Sequence, residues 1–344
     1  LPTQRIPNSD RLVAHATMHK TRFIVRLGQY KDGAELGKQA VRLAKTVGDD
    51  WCAAMGHVWW CQAYWEQGLT QEALDVLEEG EAHRGKASDE YLNGRFNHQY
   101  SVIYSIRGET AKAMAKSEQA VQTFELLQAT YHLLMSLNSF GAILNQSQQF
   151  NRSKSVYEQI IKMTKSSFMQ NFLALAFVNL SLSLQNLQEF DQSKNFLHKS
   201  LSIFRDLGLR SREAPVYANL ADLLFERGEL SQAETIANKA LTIANEFGIT
   251  NFETDSIITL GQINLKQKHF KAALAHFLHA AEISDQNQFQ EKKAEILFGI
   301  SQCFIGLEDK LQAVTYAKNA LEHAQASQHT NLALQIEESL QSLN

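Results

Sequence analysis

The sequence predicts an all-α solenoid in which pairs of helices repeat along the chain. Three observations carry that expectation. A 40-residue register recurs eight times, apolar residues fall at 3- and 4-residue steps, and there are only 3 Pro and 17 Gly among 344 residues. So few helix breakers exclude collagen-like, low-complexity and turn-rich all-β architectures.

The register is anchored on short turns followed by an aromatic in four repeats and then, in all eight, by a small residue. "GQYKDG" begins at Gly28, "GLTQEA" at Gly68, "GETAKA" at Gly108 and "QQFNRS" at Gln148. "QEFDQS" at Gln188, "GELSQA" at Gly228, "KHFKAA" at Lys268 and "EDKLQA" at Glu308 continue it at the same spacing. The repeats are therefore 11–50, 51–90, 91–130, 131–170, 171–210, 211–250, 251–290 and 291–330. They are preceded by a leader, 1–10, and followed by a tail, 331–344.

Four columns of this register have physical meaning. Seven residues before each anchor stand Thr21, Cys61, Ser101, Gly141, Ser181, Ala221, Gly261 and Ser301, all small. One residue earlier the side chain is large and apolar in every repeat but the first, which has Lys20. Five residues after the anchor come Gly33, Ala73, Ala113, Ser153, Ser193, Ala233, Ala273 and Ala313, again all small. Twelve after it the column is small except at Ile160. Small columns let two helix backbones approach closely, and a neighbouring large column fills the space around the contact.

Each repeat reads as two helices. In the seventh, Thr250 and Glu253 have the spacing of a capping box before a helical run. Second helices end in glycine at Gly48, Gly208 and Gly248, where a left-handed cap is expected. Pro215 falls in a first helical turn, where its missing N–H does least harm. In the tail, Leu332, Ile336, Leu340 and Leu343 form one amphipathic stripe, as a capping helix requires at a solenoid's end. The leader, with Pro2 and Pro7, is expected to be extended or disordered.

These units resemble the tetratricopeptide repeat (TPR). The match rests on "NLADLLFERGELSQAETIANKAL" (219–241) and "LGQYKDGAELGKQAVRLA" (27–44): a small residue in the first helix, an aromatic or large residue opening the second, then small residues seven apart. The resemblance covers residues 11 to about 330. The 40-residue period departs from the commoner 34 and is similar to the variety found in bacterial regulatory and sensory proteins. It implies a right-handed superhelix whose first helices line a concave groove.

No nucleotide-binding, nucleophile-elbow or metalloprotease motif occurs, and no catalytic residue is assigned. His15 and His19 share a helix face without a third metal ligand nearby, so neither a metal nor a cofactor is expected. Cys52, Cys61 and Cys303 are too few and too scattered for a disulfide framework. A net charge of -4 gives no electrostatic reason for a nucleic acid partner, and no apolar run is long enough to insert in a membrane. The Asn-x-Ser triplets at Asn145, Asn151 and Asn179 are read as accidents of composition.

In the family, groove-lining positions lie about three, six, nine, ten and thirteen residues before the anchor. Here the resemblance implies Arg22, Gln62, Trp65, Arg95, His98, Gln99, Asn138, Asn145, Asn179, Gln185, Asn219, Asp222 and Gln262, with His15, Asp255, Glu295 and Gln302 beside them. All four tryptophans lie in one predicted helix; Trp60 belongs to the core column. Trp59, with Trp65, is either an aromatic wall for a ligand or packed under neighbouring helices. Amides recur in the middle repeats, and a carboxamide can pair with a peptide backbone whatever its side chains. Asn179 and Asn219 share the family's typical asparagine column. Arginines and histidines concentrate in repeats 1–3 and carboxylates in repeats 6–8, so a bound segment is expected with its acidic part toward the N-terminal repeats.

The expected partner is a protein or peptide segment in the groove, with a homodimer compatible and a cytoplasmic setting expected. The chain begins at Leu1 and not at Met, from which a larger parent is expected. The leading expectation is the regulatory or sensory region of a bacterial signalling protein with a diguanylate cyclase, kinase or transcription-factor output. A constitutive structural adaptor is the alternative, and the two differ in whether a diffusible peptide changes the solenoid's pitch.

Overall fold

The computed structural model describes residues 9–164, 169–287, 289–327 and 329–343. Among them there are seventeen α-helices and no strand. The chain folds as two compact units, 1–160 and 161–344. Unit 1 carries α1 (Ser9–Arg26), α2 (Tyr30–Thr46), α3 (Asp50–Trp65), α4 (Thr70–Ala87), α5 (Glu90–Ile106), α6 (Thr110–Leu126) and α7 (Thr130–Gln146). The unit boundary falls within α8 (Phe150–Thr164). Unit 2 carries α9 (Gln170–Asn186), α10 (Phe190–Asp206), α11 (Glu213–Glu226), α12 (Leu230–Phe247), α13 (Thr250–Lys266), α14 (Phe270–Asn287), α15 (Gln290–Gly306), α16 (Lys310–Ala326) and α17 (Thr330–Leu343).

Every second helix of a pair begins two residues after an anchor, so the 40-residue offset of the sequence is also the offset of the structure. The two fully small columns are the seam of each hairpin, and every residue in both is buried. Their approach is close enough for side-chain hydroxyls to bond the facing backbone. Ser153 Oγ donates to the Gly141 carbonyl at 2.9 Å, Ser193 Oγ to Ser181 at 3.1 Å, and Ser301 Oγ to Ala313 at 2.8 Å. Each bond joins residues twelve apart, which is the distance between the two columns.

Odd-numbered helices touch their odd neighbours within each unit: α1 with α3, α3 with α5 and α5 with α7, then α9 with α11, α11 with α13 and α13 with α15. Among the described residues no even helix touches another even helix. Helices crowd on the inside of a curve and splay on its outside, so each unit presents its first helices on a concave face.

The turns require left-handed backbone inside each repeat and again at the described joints between repeats. All eight anchors have positive φ, including the non-glycines Gln148, Gln188, Lys268 and Glu308 at 58° to 63°. Gly48, Gly208 and Gly248 take the same conformation at the joints between repeats, as their cap positions require, and so do Ser88 and Gln128. The capping box expected at Thr250 does not form. Ile249 is the N-cap, Thr250 is already helical, and no side chain caps this end. The joint is too short for Thr250 to stand outside the helix, because Ile249 N–H is already bonded to the Ala244 carbonyl. Pro215 lacks an N–H for the carbonyl four residues back, and Arg210–Arg212 ahead of it is a 3-10 turn. Helix α1 is described from Ser9, and the leader residues before it lie outside the described residues.

A Cβ on Gly141 would come within 2.5 Å of the Tyr157 ring, and Tyr157 is fully buried. Gly141→Leu or Ser181→Leu should destabilise by about 1–3 kcal/mol through overpacking. An unchanged melting temperature in both variants would contradict the seam. Gln148→Gly and Gln188→Gly should each raise the melting temperature, by a gain of about 0.5–1 kcal/mol, because a left-handed backbone disfavours a side chain. A fall in both would contradict the turn geometry.

Candidate functional site

Two charged cavities of opposite sign lie among the first helices, one in each unit. In unit 1 a cavity of about 280 Å³ is lined from α1 by Met18, His19, Arg22 and Arg26, and from α3 by Trp51, Met55 and Trp59. Tyr91 and Arg95 of α5 and Tyr131 and His132 of α7 complete it. Arg26 Nη2 donates to Tyr131 Oη at 2.9 Å, joining the first helix of the unit to the seventh. The Arg95 guanidinium lies 4.6 Å from the centre of the Trp59 ring, a cation–π contact, and is 2% exposed.

Hydrogen-bond roles follow from chemistry. Arginine only donates, so His132 Nε2, 3.2 Å from Arg95 Nη1, accepts and its proton resides on Nδ1. Burial, reinforced by Arg95, Arg26 and Arg22, lowers the His132 pKa to about 4 and keeps the ring neutral. Tyr91 Oη sits 3.0 Å from the same nitrogen. Arg95 Nε and Nη2 and Arg22 Nε are buried with no hydrogen-bond partner. Among the described residues no Asp or Glu lines the cavity.

In unit 2 a cavity of about 290 Å³ is lined by Gln185 of α9, Asp222, Phe225 and Glu226 of α11, Asp255, Ile258, Thr259 and Gln262 of α13, and Glu295 of α15. Thr259 Oγ1 donates to Asp222 Oδ1 at 2.6 Å. Burial raises the Asp222 pKa to about 7; the Thr259 bond opposes this, and Asp255, Glu295 and Glu226 add to it by repulsion. Glu295 is open to water at the cavity mouth yet crowded by protein, and its pKa is raised by that crowding and then by Asp255. Lys292 pairs with Asp255. A larger cleft of about 560 Å³ adjoins this cavity, shares Phe225, Gln262 and Glu295 with it, and adds the apolar side chains of Leu265, Phe277, Phe298 and Leu332.

Of the residues expected in or beside the groove, Arg22, Trp59 and Arg95 meet in the unit 1 cavity, Gln185, Asp222, Asp255, Gln262 and Glu295 meet in the unit 2 cavity, and Gln302 lines the cleft that adjoins it. Gln62 and Trp65 lie on α3 outside both; Gln62 Nε2 donates to Glu66 at 3.5 Å. Trp65 Nε1 donates to Gln99 Oε1 at 2.7 Å, and Gln99 is buried. His98 is buried beside Ser136, and His15 is bound to Asp49 at 2.9 Å. Asn138, Asn145, Asn179 and Asn219 are half-buried on first helices outside the cavities. The Asn219 carbonyl accepts from Gln185 Nε2 at 3.2 Å.

Sequence reasoning missed Arg26, Trp51, Tyr91, Tyr131 and His132. A signal was present: Trp51, Tyr91 and Tyr131 occupy one column, seventeen residues before the anchor, in three successive repeats. Among the described residues no group of three His, Cys, Asp or Glu is arranged to hold a metal ion, and no helix is long and apolar enough to cross a membrane.

Residues 172–246 match the model of the tetratricopeptide repeat family. That segment spans most of repeats 5 and 6 and is similar to the tetratricopeptide repeat. TPR-like solved structures share the fold. A Rap protein complexed with competence and sporulation factor superposes with a TM-score of 0.69 at 12% identity, covering 96% of this chain and 97% of that one. The apo quorum sensor NprR from B. thuringiensis gives 0.68 at 14%, covering 90% and 87%. NprR in complex with its cognate peptide NprX gives 0.57 at 14%, covering 83% and 84%. At such identities the likeness is one of fold. No curated protein sequence matches this chain.

The two units should respond oppositely to acid. Burial also lowers His57 to about 4 and His98 to about 3, so with His132 unit 1 carries three histidines held neutral. Depressed pKa values give stability that is present above the ordinary histidine pKa and lost as pH falls through about 4. The raised Asp222 works the other way: its contribution is full below the ordinary carboxylate range and lost as pH rises through about 7. All four tryptophans lie in α3, so tryptophan fluorescence reports unit 1 alone. Lowering the pH from about 7 to about 4.5 should lower the thermal midpoint seen by tryptophan. A midpoint that holds or rises would contradict the burial of these histidines.

Proposed function

We propose that this chain is a peptide- or protein-segment-binding TPR scaffold with a regulatory role in a larger bacterial signalling protein, and that it acts by binding and not by catalysis. One observation carries the reading: in unit 2 an acidic cavity built by successive first helices runs into a largely apolar cleft that Phe277 of α14 and the residues of α17 complete. A segment that sets a cationic side chain against Asp222 and Glu295 and an apolar one against Phe298 and Leu332 matches that surface in charge and polarity. The fold is shared with a Rap protein complexed with a signalling factor and with NprR bound to its peptide, which supports a peptide as the ligand class. Asn179 and Asn219, on the inner helices beside Gln185, are proposed to hold the segment's backbone.

Fluorescence anisotropy with labelled pentapeptides tests this. Peptides that pair Arg or Lys with Leu or Phe should bind, and acidic counterparts should not. Asp222→Asn with Glu295→Gln should weaken binding at least about tenfold, and Asn179→Ala with Asn219→Ala should weaken capture while leaving the melting temperature nearly unchanged. Affinity for the basic peptides should rise as pH passes upward through about 7, where Asp222 ionises, and that rise should vanish in Asp222→Asn. Equal binding of basic and acidic peptides would overturn the reading.

A further inference from the structure

The unit 1 cavity poses an electrostatic problem that its own residues do not solve. Arg22, Arg26 and Arg95 bring three positive charges to a space of about 280 Å³ with no carboxylate among the described residues that line it. His132 is held neutral and serves as an acceptor for only one nitrogen of Arg95. The Trp59 face offsets part of the charge on Arg95. Two of its nitrogens and one of Arg22 remain buried and unbonded. A desolvated cation without a counter-charge is costly to hold, and the cost disappears when an anion supplies both charge and acceptors.

The form of the anion follows from the donors. Three guanidinium groups converge, and an occupant with two charges and three acceptor oxygens answers them better than a carboxylate with one charge and two oxygens. Met18, Trp51, Met55, Tyr91 and Tyr131 supply apolar or aromatic walls that suit a short carbon body, and His19 completes the lining. The volume of about 280 Å³ falls just below the usual range for drug-sized ligands, which begins at roughly 300 Å³, so the occupant must be small.

We propose that the unit 1 cavity is a receptor for a phosphoryl group carried on a small apolar or aromatic body. Either a free organic phosphate or a phosphorylated side chain of a partner segment presents that chemistry. The proposal does not rest on peptide capture by unit 2, and either can fail while the other stands.

The test is calorimetric titration of the full chain with phenyl phosphate, benzoate and a phosphotyrosine pentapeptide, with tryptophan emission as a second readout. Phenyl phosphate should bind at least tenfold more tightly than benzoate and perturb the fluorescence of α3. Arg95→Met and Arg22→Gln should each lose at least tenfold in affinity, and Arg22→Gln, at a half-buried position, serves if Arg95→Met does not fold. A phosphopeptide tighter than phenyl phosphate assigns the site to a phosphorylated segment; the reverse order assigns it to a free organic phosphate. No binding of either phosphate, benzoate binding as tightly as phenyl phosphate, or unchanged affinity in Arg22→Gln would each overturn the proposal.

Discussion

The close approach of two small-residue columns within each hairpin is the constraint on which this structure depends. At the 141–153 and 181–193 contacts the helices come so near that a serine hydroxyl reaches the facing carbonyl. Nothing larger fits: at Gly141 even one added carbon meets the Tyr157 ring. Because the seam recurs at a fixed spacing, the first helices are held side by side and their polar faces converge. That convergence lets Arg26 reach Tyr131 across 105 residues of chain. Side chains far apart in sequence thereby share one small cavity.

Convergence concentrates charge, and burial then sets its behaviour. In unit 1 the buried groups are guanidinium ions, which cannot discharge, so neighbouring histidines remain neutral and an aromatic face takes up part of the field. In unit 2 they are carboxylates, which can take up a proton, and Asp222 answers the crowding of Asp255, Glu295 and Glu226 with a raised pKa. Repetition of one scaffold thus yields two sites of opposite charge, and each site's own residues decide its sign.

The repeat length, the hairpin seam and the inward-facing helices were legible in the sequence because each depends on residue size at a fixed period. Small side chains at Ser181 and Ser193 announce a close contact whatever surrounds them. Other features were hidden because they depend on tertiary closure or on backbone alone. Gln148 and Lys268 adopt the left-handed turn that glycine marks elsewhere, and nothing in their side chains signals it. Gln99 stands at a groove position but is bonded to Trp65, a pairing across two repeats that no single register predicts. The part played by Arg26 depends on the curvature that brings α7 toward α1. The aromatic column of Trp51, Tyr91 and Tyr131 was readable, but its meaning appears only once these rings meet in one cavity.

Cysteine cross-linking measures the seam itself most directly. In the Ser181→Cys/Ser193→Cys pair, mild oxidation followed by peptide mass spectrometry should recover a disulfide joining 181 to 193, and the Ala221→Cys/Ala233→Cys pair should behave alike. Failure of both pairs to link, with the chain still helical, would mean that the hairpins do not meet along these columns, and the cavities they assemble would lose their basis.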